Sequence, residues 1–303
     1  MWRPAVARVL DPGLSSTVQD AGRRGYRRYG VPSSGALDLE SFFAANRVAG
    51  NTPERPAVEV VGGDFAMELL YDVTLAVTGD GSRPALGGVV KETYSPIRAR
   101  RGEVLRLASG GAGFVSYVAV GGGFRGDRVL GSASTYLPGR FGGVGGRRLA
   151  RGDALYLDGP LTRGGRPEEP RPPCDDFPAV VGPHARLFAG EALRAFFSSE
   201  YAVSPLSDRM GCRLEGARLK MQGQGEIVSL AVFPGMVQVP PDGRPVVLLA
   251  DCQTTGGYPV VAYVVQPYLS RLSQTAPGGT IRFRRTDGRR ALAALERFLE
   301  ETR

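Results

Sequence analysis

The chain has 303 residues, 42% of them hydrophobic and 22% charged, and a formal net charge of +8. This composition is ordinary for a globular protein of one large or two smaller domains with a real core. The positive charge is almost all arginine, spread along the chain without the basic stripe and motif typical of nucleic-acid binding. We therefore expect no nucleic-acid partner, whereas an anionic small substrate or an acidic partner fits the charge.

The first half of the chain is predicted to consist mostly of short strands. Apolar or alternating runs predict strands at 5–10, within 57–80 and within 103–120. One helix lies between the first two of these regions, where Asp38 can cap its start and Gly50 can end it. The 43 glycines and 23 prolines fit tight turns between strands better than long helices.

The second half follows a glycine-rich stretch, 121–153, that shows little apolar periodicity. The densest proline and glycine come at 159–183, which we interpret as a linker. A short helix is predicted at 190–201 and a terminal helix at about 289–301, with leucines on one face. Between these helices, strands are predicted at RLEGARLKM, EIVSLAVF, MVQVP, PVVLLAD and PVVAYVV.

The predicted fold class is mainly β, in two barrel- or sandwich-like units. Strands and helices do not alternate, so a parallel doubly wound sheet is not expected. The linker suggests an N-terminal β subdomain at 1–165 and a C-terminal β subdomain at 166–303, with strands free to interchange between them.

Cysteine usage and hydropathy indicate the compartment. Three cysteines stand far apart at 174, 212 and 252 without a CxxC spacing, which favours a reducing environment over disulfides or a zinc site. The start of the chain lacks an apolar segment of the signal-peptide kind, and no run approaches the ~20 apolar residues of a spanning helix. We expect a cytoplasmic protein with no membrane partner.

Several kinds of catalytic device are missing from the sequence. His184 is the sole histidine, more consistent with a loop or cap residue than with a catalytic triad or a metal site. No GxxxxGK[ST] phosphate loop is present, and lysine occurs only at 91 and 220. Any acid or base is therefore Asp, Glu, Tyr or Cys, and arginine supplies the cationic anchors for carboxylate or phosphate.

Four segments carry more polar groups than folding consumes: 13–38, 129–153, 204–216 and 250–261. The last, ADCQTTGGYPVV, follows the apolar run VVLL, and its glycines would let backbone N–H groups approach a ligand. A turn whose threonines satisfy their own backbone is the alternative. Likewise, Asp208 and Arg209 form either a buried structural pair or a substrate clamp, and Asp38 is either a helix cap or part of a site.

These segments together resemble a known family. The matching pieces lie in order from about residue 9 to 285: TVQDAGRRGYRRYGVPSSGALD, AANRVAGN, LAVTGDG, YVAVGGGF, VLGSASTY, GRFGGVGGRRLARGD, SDRMGCRL, VQVPPDGRPVVLLADCQTTGGYP and LSQTAPGGTIRF. They are similar to the KipA or PxpC family, which comprises the C component of bacterial 5-oxoprolinase and the second-subunit type of allophanate hydrolase and urea carboxylase.

The resemblance implies a mainly β fold with two cyclophilin-like barrel subdomains. It also implies a small-molecule substrate, a KipI- or PxpB-type partner subunit and a PxpA-type subunit. Together they would form an ATP-dependent 5-oxoprolinase that opens 5-oxoproline to L-glutamate, with ATP and Mg²⁺ acting at the level of the complex. Two alternatives stay open: a biotin-dependent carboxyltransferase component acting on urea or a related amide, and a non-catalytic KipI antagonist that regulates a sensor histidine kinase.

The resemblance also suggests roles for residues at the motif positions. Asp20 or Asp208 would act as a base or Mg²⁺ contact, Gln253 would act in catalysis, and Arg209 would hold a carboxylate or phosphate. Metal ligands stay unassigned. The remaining candidate substrate- or nucleotide-binding residues are Gln19, Ser34, Gly35, Arg147, Ser207, Thr254, Thr255, Gly256, Gly257 and Tyr258.

The chain departs from the family pattern at a few positions. Val115 and Ala133 stand where arginines are expected, Cys212 where a tyrosine is expected and Cys252 where an arginine is expected. These changes bear on the identity of the substrate. No lysine stands in an AMKM-like motif, so the chain is not expected to carry biotin itself.

Overall fold

The computed structural model describes residues 5–222 and 227–302 and confirms the mainly β class. The described chain forms two compact units. The N-terminal unit contains residues 5–23 and 34–172, and the C-terminal unit contains residues 24–33 and 173–302. The chain therefore leaves the N-terminal unit after Arg23, contributes ten residues to the C-terminal unit, and returns at Ser34.

Two antiparallel sheets build the N-terminal unit. The strands of the six-stranded sheet follow the order β11-β1-β4-β9-β6-β7, and those of the five-stranded sheet the order β2-β3-β10-β5-β8. Their bounds are β1 Ala5–Asp11, β2 Ser15–Gln19, β3 Ala57–Val61, β4 Phe65–Leu69, β5 Val73–Thr78, β6 Ser82–Leu86, β7 Val89–Val90, β8 Ile97–Ala99, β9 Val104–Ser109, β10 Val115–Val120 and β11 Ala154–Tyr156.

One apolar core holds the two sheets together. It contains residues from both, such as Val6, Met67 and Leu105 from the six-stranded sheet and Val58, Leu75 and Val118 from the five-stranded sheet. Every residue of β5 and β10 is buried, whereas β9 alternates between buried and exposed positions. The alternation shows that one face of the six-stranded sheet meets the core and the other meets solvent.

Helix α1, Leu39–Val48, packs against β5 and β10 of the five-stranded sheet. The Asp38 carboxylate caps its start by accepting a hydrogen bond of 3.0 Å from the Ser41 N–H. Gly50, just past its end, adopts a left-handed φ of 78°. The predicted helix and both of its end signals are confirmed.

A closed barrel of seven strands forms the C-terminal unit, in the order β12-β19-β16-β17-β14-β13-β20. Strands β12 and β20 pair in parallel, and the other barrel pairs are antiparallel. A separate two-stranded ribbon pairs β15 with β18. The bounds are β12 Asp176–Val181, β13 Glu200–Val203, β14 Gly211–Gly216, β15 Leu230–Ala231, β16 Met236–Gln238, β17 Val246–Leu248, β18 Thr255–Gly256, β19 Val260–Val264 and β20 Thr280–Thr286.

Three further α-helices lie in the described part of the C-terminal unit: α2 Gly190–Ser198, α3 Gln266–Leu272 and α4 Gly288–Glu301. The terminal helix α4 matches its prediction in extent, but Phe298 is its sole buried residue, and Leu292 and Leu299 are 55% and 45% exposed. In the described chain, each helix is too short or too polar to cross a bilayer.

The structure corrects several predicted elements. The helix expected at 190–201 ends at Ser198, because its last residues enter the barrel as β13. The linker expected at 159–183 includes the barrel strand β12, whose residues alternate poorly in polarity. The strand expected at EIVSLAVF is reduced to Leu230–Ala231, and its first residue lies outside the described part of the chain.

Candidate functional site

The loop that follows β17 is anchored by a buried ion pair. Arg209 donates from Nε and Nη2 to the two carboxylate oxygens of Asp251, at 2.8 and 3.2 Å. The side chain of Asp251 is 1% exposed and that of Arg209 is 10% exposed. The guanidinium of Arg209 is therefore engaged by the protein itself, and it fixes the first residues of the loop against the turn that precedes β14.

A second arginine holds the next residues of this loop. Arg27 belongs to the segment 24–33 and donates from Nη2 to the backbone carbonyls of Val232 and Gln253, at 2.5 and 2.7 Å. The same nitrogen lies 3.6 Å from the sulfur of Cys252. One guanidinium thus fixes both sides of the β15–β18 ribbon, because Val232 follows β15 and Gln253 precedes β18.

The side chain of Gln253 is held by a second glutamine. Gln253 donates from Nε2 to Oε1 of Gln238 at 3.0 Å, and Gln238 donates from Nε2 to the carbonyl oxygen of Tyr258 at 3.3 Å. Gln238 is 2% exposed and lies in the barrel strand β16, whereas Gln253 is partly exposed. A buried, rigid amide therefore supports an accessible one.

The residues that complete this loop face outward to different degrees. Thr254 is partly exposed, Thr255 is exposed, and neither hydroxyl makes a hydrogen bond within the described residues. A methyl group placed on Gly256 would come within 2.6 Å of Gln238 Nε2, so a larger residue here would displace this amide. At Gly257 the nearest atom would be 3.4 Å away, and Tyr258 is 47% exposed.

Two potentially reactive side chains near this loop have structural explanations. Burial raises the pKa of the Cys252 thiol, and the adjacent Arg27 guanidinium opposes that rise only in part. A raised pKa disfavours the thiolate that a nucleophile requires. His184 accepts a hydrogen bond of 3.2 Å from the Val260 N–H, and burial, together with Arg186, lowers its pKa. The neutral imidazole therefore serves as a backbone acceptor.

Ser207 and Asp208 shape the turn before β14. The Asp208 carboxylate accepts hydrogen bonds from the N–H groups of Met210 and Gly211, at 2.8 and 3.1 Å. The Ser207 hydroxyl accepts one from the Arg213 N–H at 3.0 Å. Asp208 is exposed, and its visible interactions are those of a turn cap.

A second polar cluster lies in the N-terminal unit around Asp20. The Asp20 carboxylate accepts four hydrogen bonds of 2.5–2.8 Å, from the N–H groups of Gly22 and Ala133 and the hydroxyls of Ser132 and Ser134. Asp20 is only 5% exposed. Four donors fill the acceptor positions of a carboxylate, so Asp20 anchors the VLGSASTY loop.

The neighbours of Asp20 include three of the other predicted site residues. Gln19 donates to Thr17 and Thr135, and its Oε1 is buried without a partner among the described residues. Ser34 has a left-handed φ of 54°, and its hydroxyl is likewise buried without a partner in the described chain. Gly35 packs so closely on Gly22 that an added methyl would lie 2.9 Å from its nitrogen.

Arg147 is paired within its own turn of the N-terminal unit. Its guanidinium pairs with both carboxylate oxygens of Asp153, at 2.7 and 2.8 Å, and hydrogen bonding to Arg147 lowers the pKa of Asp153. Both glycines before it, Gly145 and Gly146, have positive φ and form a tight turn. The expected anion-facing loop is closed on itself by this exposed ion pair.

The predicted residues belong to both units. Residues 253–258 form one accessible loop of the C-terminal unit, Gln19, Asp20, Ser34 and Gly35 lie together in a buried cluster of the N-terminal unit, and Arg147 of the same unit is paired with Asp153. Sequence reasoning assigned no role to Arg27, Gln238 or Asp251, although a glutamine inside the apolar strand MVQVP was a visible signal. Within the described residues, His, Cys, Asp and Glu side chains nowhere gather in threes as metal ligands would.

The positions that depart from the family pattern are all buried. Val115 lies in β10, Ala133 is 0% exposed beside Asp20, and burial raises the pKa of Cys212 to about 12. A guanidinium still reaches the loop around Ala133, from the buried Arg23, which donates to the carbonyl oxygens of Val129 and Ser134.

Fold and loop together define a class: a mainly β protein with a seven-stranded barrel and a loop after β17, residues 250–258, here called the rim loop. This loop presents an oriented amide and hydroxyls that have no partner within the described chain. Residues 29–285 match the family described as carboxyltransferase domain, subdomain A and B, and the chain belongs to that family. It is 35% identical to the C component of 5-oxoprolinase from Haemophilus influenzae, over 91% of this chain and 89% of that protein. It is 34% identical to the C component of the Escherichia coli 5-oxoprolinase, over 97% of this chain and 96% of that protein.

The structure is also similar to a much larger enzyme. It superposes on the Kluyveromyces lactis urea carboxylase with a TM-score of 0.91 and 29% identity. The match covers all of this chain but only 29% of the carboxylase. This chain therefore corresponds to one part of the urea carboxylase, which has more than two thirds of its length elsewhere.

Proposed function

We propose that this chain is the C component of an ATP-dependent 5-oxoprolinase that opens 5-oxoproline to L-glutamate. One observation carries the proposal: the chain matches two proteins named as this component of 5-oxoprolinase over 89% and 96% of their own lengths. In the urea amidolyase of Lachancea kluyveri, by contrast, the matching segment is 17% of the protein. The extent of the match thus favours the first kind of enzyme.

In this proposal the chain acts only with its partners, a KipI- or PxpB-type subunit and a PxpA-type subunit, in the cytoplasm. ATP and Mg²⁺ enter at the level of the assembled complex. ATP supplies the free energy for opening a stable lactam. The residues of this chain bind and orient the substrate at the joint surface.

The loop after β17 is the part of the chain best suited to that task. Gln253 offers an amide held by Gln238, and Thr254 and Thr255 offer hydroxyls that no described residue occupies. A planar lactam presents one N–H donor and one carbonyl acceptor, which an amide and hydroxyls can match. Preorganised donors at a carbonyl also stabilise the oxyanion that develops when the carbonyl is attacked.

The direct experiment measures glutamate released from 5-oxoproline with ATP and Mg²⁺, in the presence of the cognate partner subunits, with and without this chain. We expect release to require the chain. Absence of release from partners that demonstrably bind the chain would refute the proposal.

A pair of variants connects the activity to the loop. Gln253→Ala is expected to fold normally and to reduce ATP-dependent turnover at least roughly tenfold, because an oriented polar contact to the substrate is lost. Gln222→Ala is the matched control, since Gln222 is an exposed glutamine outside the loop. Full activity of Gln253→Ala would remove this loop from the proposed site.

The second candidate is a biotin-dependent carboxyltransferase component, favoured by the TM-score of 0.91 to the K. lactis urea carboxylase. It predicts transfer of a labelled carboxyl group from carboxybiotin to urea or a related amide, with biotin on a separate carrier protein. Labelled product that forms with this chain, together with no glutamate release, would establish this candidate over the first.

A further inference from the structure

The hydrogen bonds around Gln238 fix which end of the Gln253 amide faces outward. A backbone carbonyl can only accept, so Gln238 must turn its NH₂ group toward the Tyr258 oxygen. Its own oxygen then faces Gln253, and that oxygen can only accept from the Gln253 NH₂ group. The Gln253 Oε1 is therefore left pointing away from Gln238, and the amide cannot flip without breaking the chain of bonds.

The outward oxygen of Gln253 is accessible. It is absent from the buried polar atoms of the described chain, and no described residue donates to it. The backbone carbonyl of the same residue is fixed by Arg27 at 2.7 Å. Both the main chain and the side chain of residue 253 are thus held, which is the condition for a preorganised contact.

We propose that Gln253 presents an amide oxygen to an N–H donor of the substrate, and that Gln238 is the positioning residue that sets this polarity. The ligand class is a small molecule with an amide, lactam or ureido N–H. The inference rests on the proposed function for the identity of the substrate, but the direction of the hydrogen bond follows from the loop itself. An ester or lactone of the same shape would set a ring oxygen against the Gln253 oxygen.

A substitution at Gly256 can disturb the orientation of the Gln253 amide while both glutamines are kept. A methyl group at this position would come within 2.6 Å of Gln238 Nε2 and 3.4 Å of Gln253 Nε2. The Gln238 amide would therefore have to leave the position from which it donates to Tyr258. Gly288, at the start of α4, has no atom within 4 Å of an added methyl and lies outside the loop, so Gly288→Ala is a matched control.

The experiment uses the complex of this chain with its partner subunits and compares the binding of two probes by calorimetry or competition. The probes are 5-oxoproline and 5-oxotetrahydrofuran-2-carboxylate, the lactone in which a ring oxygen replaces the N–H. We expect the wild-type complex to bind the lactam at least about tenfold more tightly than the lactone, since one buried hydrogen bond is lost and two acceptors oppose each other.

The variants test the assignment through the ratio of the two affinities. Gln253→Leu, Gln238→Leu and Gly256→Ala are each expected to reduce the lactam preference to about threefold or less, and Gly288→Ala to retain it. A purely structural defect would weaken the binding of both probes alike and leave the ratio of the two affinities unchanged. Because Gln238 is buried, Gly256→Ala keeps the test valid if Gln238→Leu does not fold.

An unchanged ratio in Gln253→Leu, or a wild-type complex that binds neither probe or binds both equally, overturns the inference. Its failure is distinct from failure of the proposed function. If glutamate release requires the chain but the affinity ratio is unchanged in Gln253→Leu, the proposed 5-oxoprolinase function stands. Recognition of the substrate N–H then belongs to other residues. Lactam preference without glutamate release would retain the inference and refute the function.

Discussion

Asp20 and Gln253 lie in segments of similar polar composition, yet the structure uses them in opposite ways. Asp20 is buried, and four donors fill its carboxylate. Gln253 is partly exposed and uses one end of its amide, while Thr254 and Thr255 use none of their hydroxyl capacity within the described chain. An excess of polar groups in a loop therefore indicates recognition only when the protein leaves them both unsatisfied and accessible.

The comparison predicts that substitutions in the Asp20 cluster act mainly on stability. Asp20→Ala leaves two hydroxyls and two N–H groups without their acceptor in a buried place, so we expect a loss of roughly 4–5 kcal/mol in the free energy of unfolding. Chemical denaturation of the isolated chain measures it. A loss below about 1 kcal/mol would show that water already reaches the cluster.

The next largest effect is expected at the ion pair that anchors the rim loop. Arg209→Ala leaves the Asp251 carboxylate buried without its partner, which costs about 3–4 kcal/mol. In the double variant Arg209→Ala/Asp251→Ala, much of that loss should be recovered, because no buried charge remains. Additive losses in the double-mutant cycle would contradict the coupling.

Substitution of Asp208, the residue before Arg209, is expected to have a smaller effect on the free energy of unfolding. Asp208→Ala removes an exposed turn cap and is expected to cost about 1 kcal/mol, with little change in turnover of the assembled complex. Denaturation and glutamate release measured on the same preparation test this. A large loss of turnover with normal stability would return Asp208 to the catalytic role that the family resemblance suggested.

Asp80, also in the N-terminal unit, is a partly buried carboxylate whose charge is unfavourable, in contrast to that of Asp20. Burial raises the pKa of Asp80, and the nearby charge of Asp38 adds to the rise. Ionised Asp80 therefore destabilises the folded state, a penalty absent below the unfolded pKa of ~3.9 and complete above the folded pKa. Asp80→Asn should raise the melting temperature at pH 7, with a gain that shrinks toward pH ~4. A gain independent of pH would contradict this assignment.

The last prediction concerns the reactivity of the three cysteine thiols, where the smallest effect is expected. Cys212 and Cys252 are buried and Cys174 is partly exposed, and all three are free. We expect Ellman's reagent to modify one thiol rapidly in the native chain and all three after denaturation. Rapid modification of Cys252 in the native state, identified by mass spectrometry, would show that the rim loop opens.

Local patterns predicted the elements that depend on local physics. The helix with its Asp38 cap, strands β9 and β10 and the terminal helix follow from periodicity and end signals alone. Strand β2 was missed because the residues it buries are Ser16, Thr17 and Gln19 as well as Val18, and a buried polar strand has no apolar period. Its polar groups are satisfied from far along the chain, as when Gln19 donates to the Thr135 carbonyl.

The distinction between local patterns and contacts from distant parts of the chain also limits what could be predicted of the site. The sequence pointed to Gln253 and its neighbours because glycines, threonines and a glutamine crowd one short loop. The orientation of Gln253 depends on Gln238 and Arg27, which no local pattern connects to it. Residue type thus predicted the chemistry, whereas the direction of each hydrogen bond required the fold.

The excursion of residues 24–33 into the C-terminal unit has a consequence for biosynthesis. Arg27 precedes Gln253, whose carbonyl it binds, by 226 residues. During translation this arginine therefore emerges long before the loop it holds, and the C-terminal unit must incorporate a segment that is already joined on both sides to the N-terminal unit. A fragment that starts at residue 173 would lack the guanidinium, so cutting the gene between the two units would separate the rim loop from one of its supports.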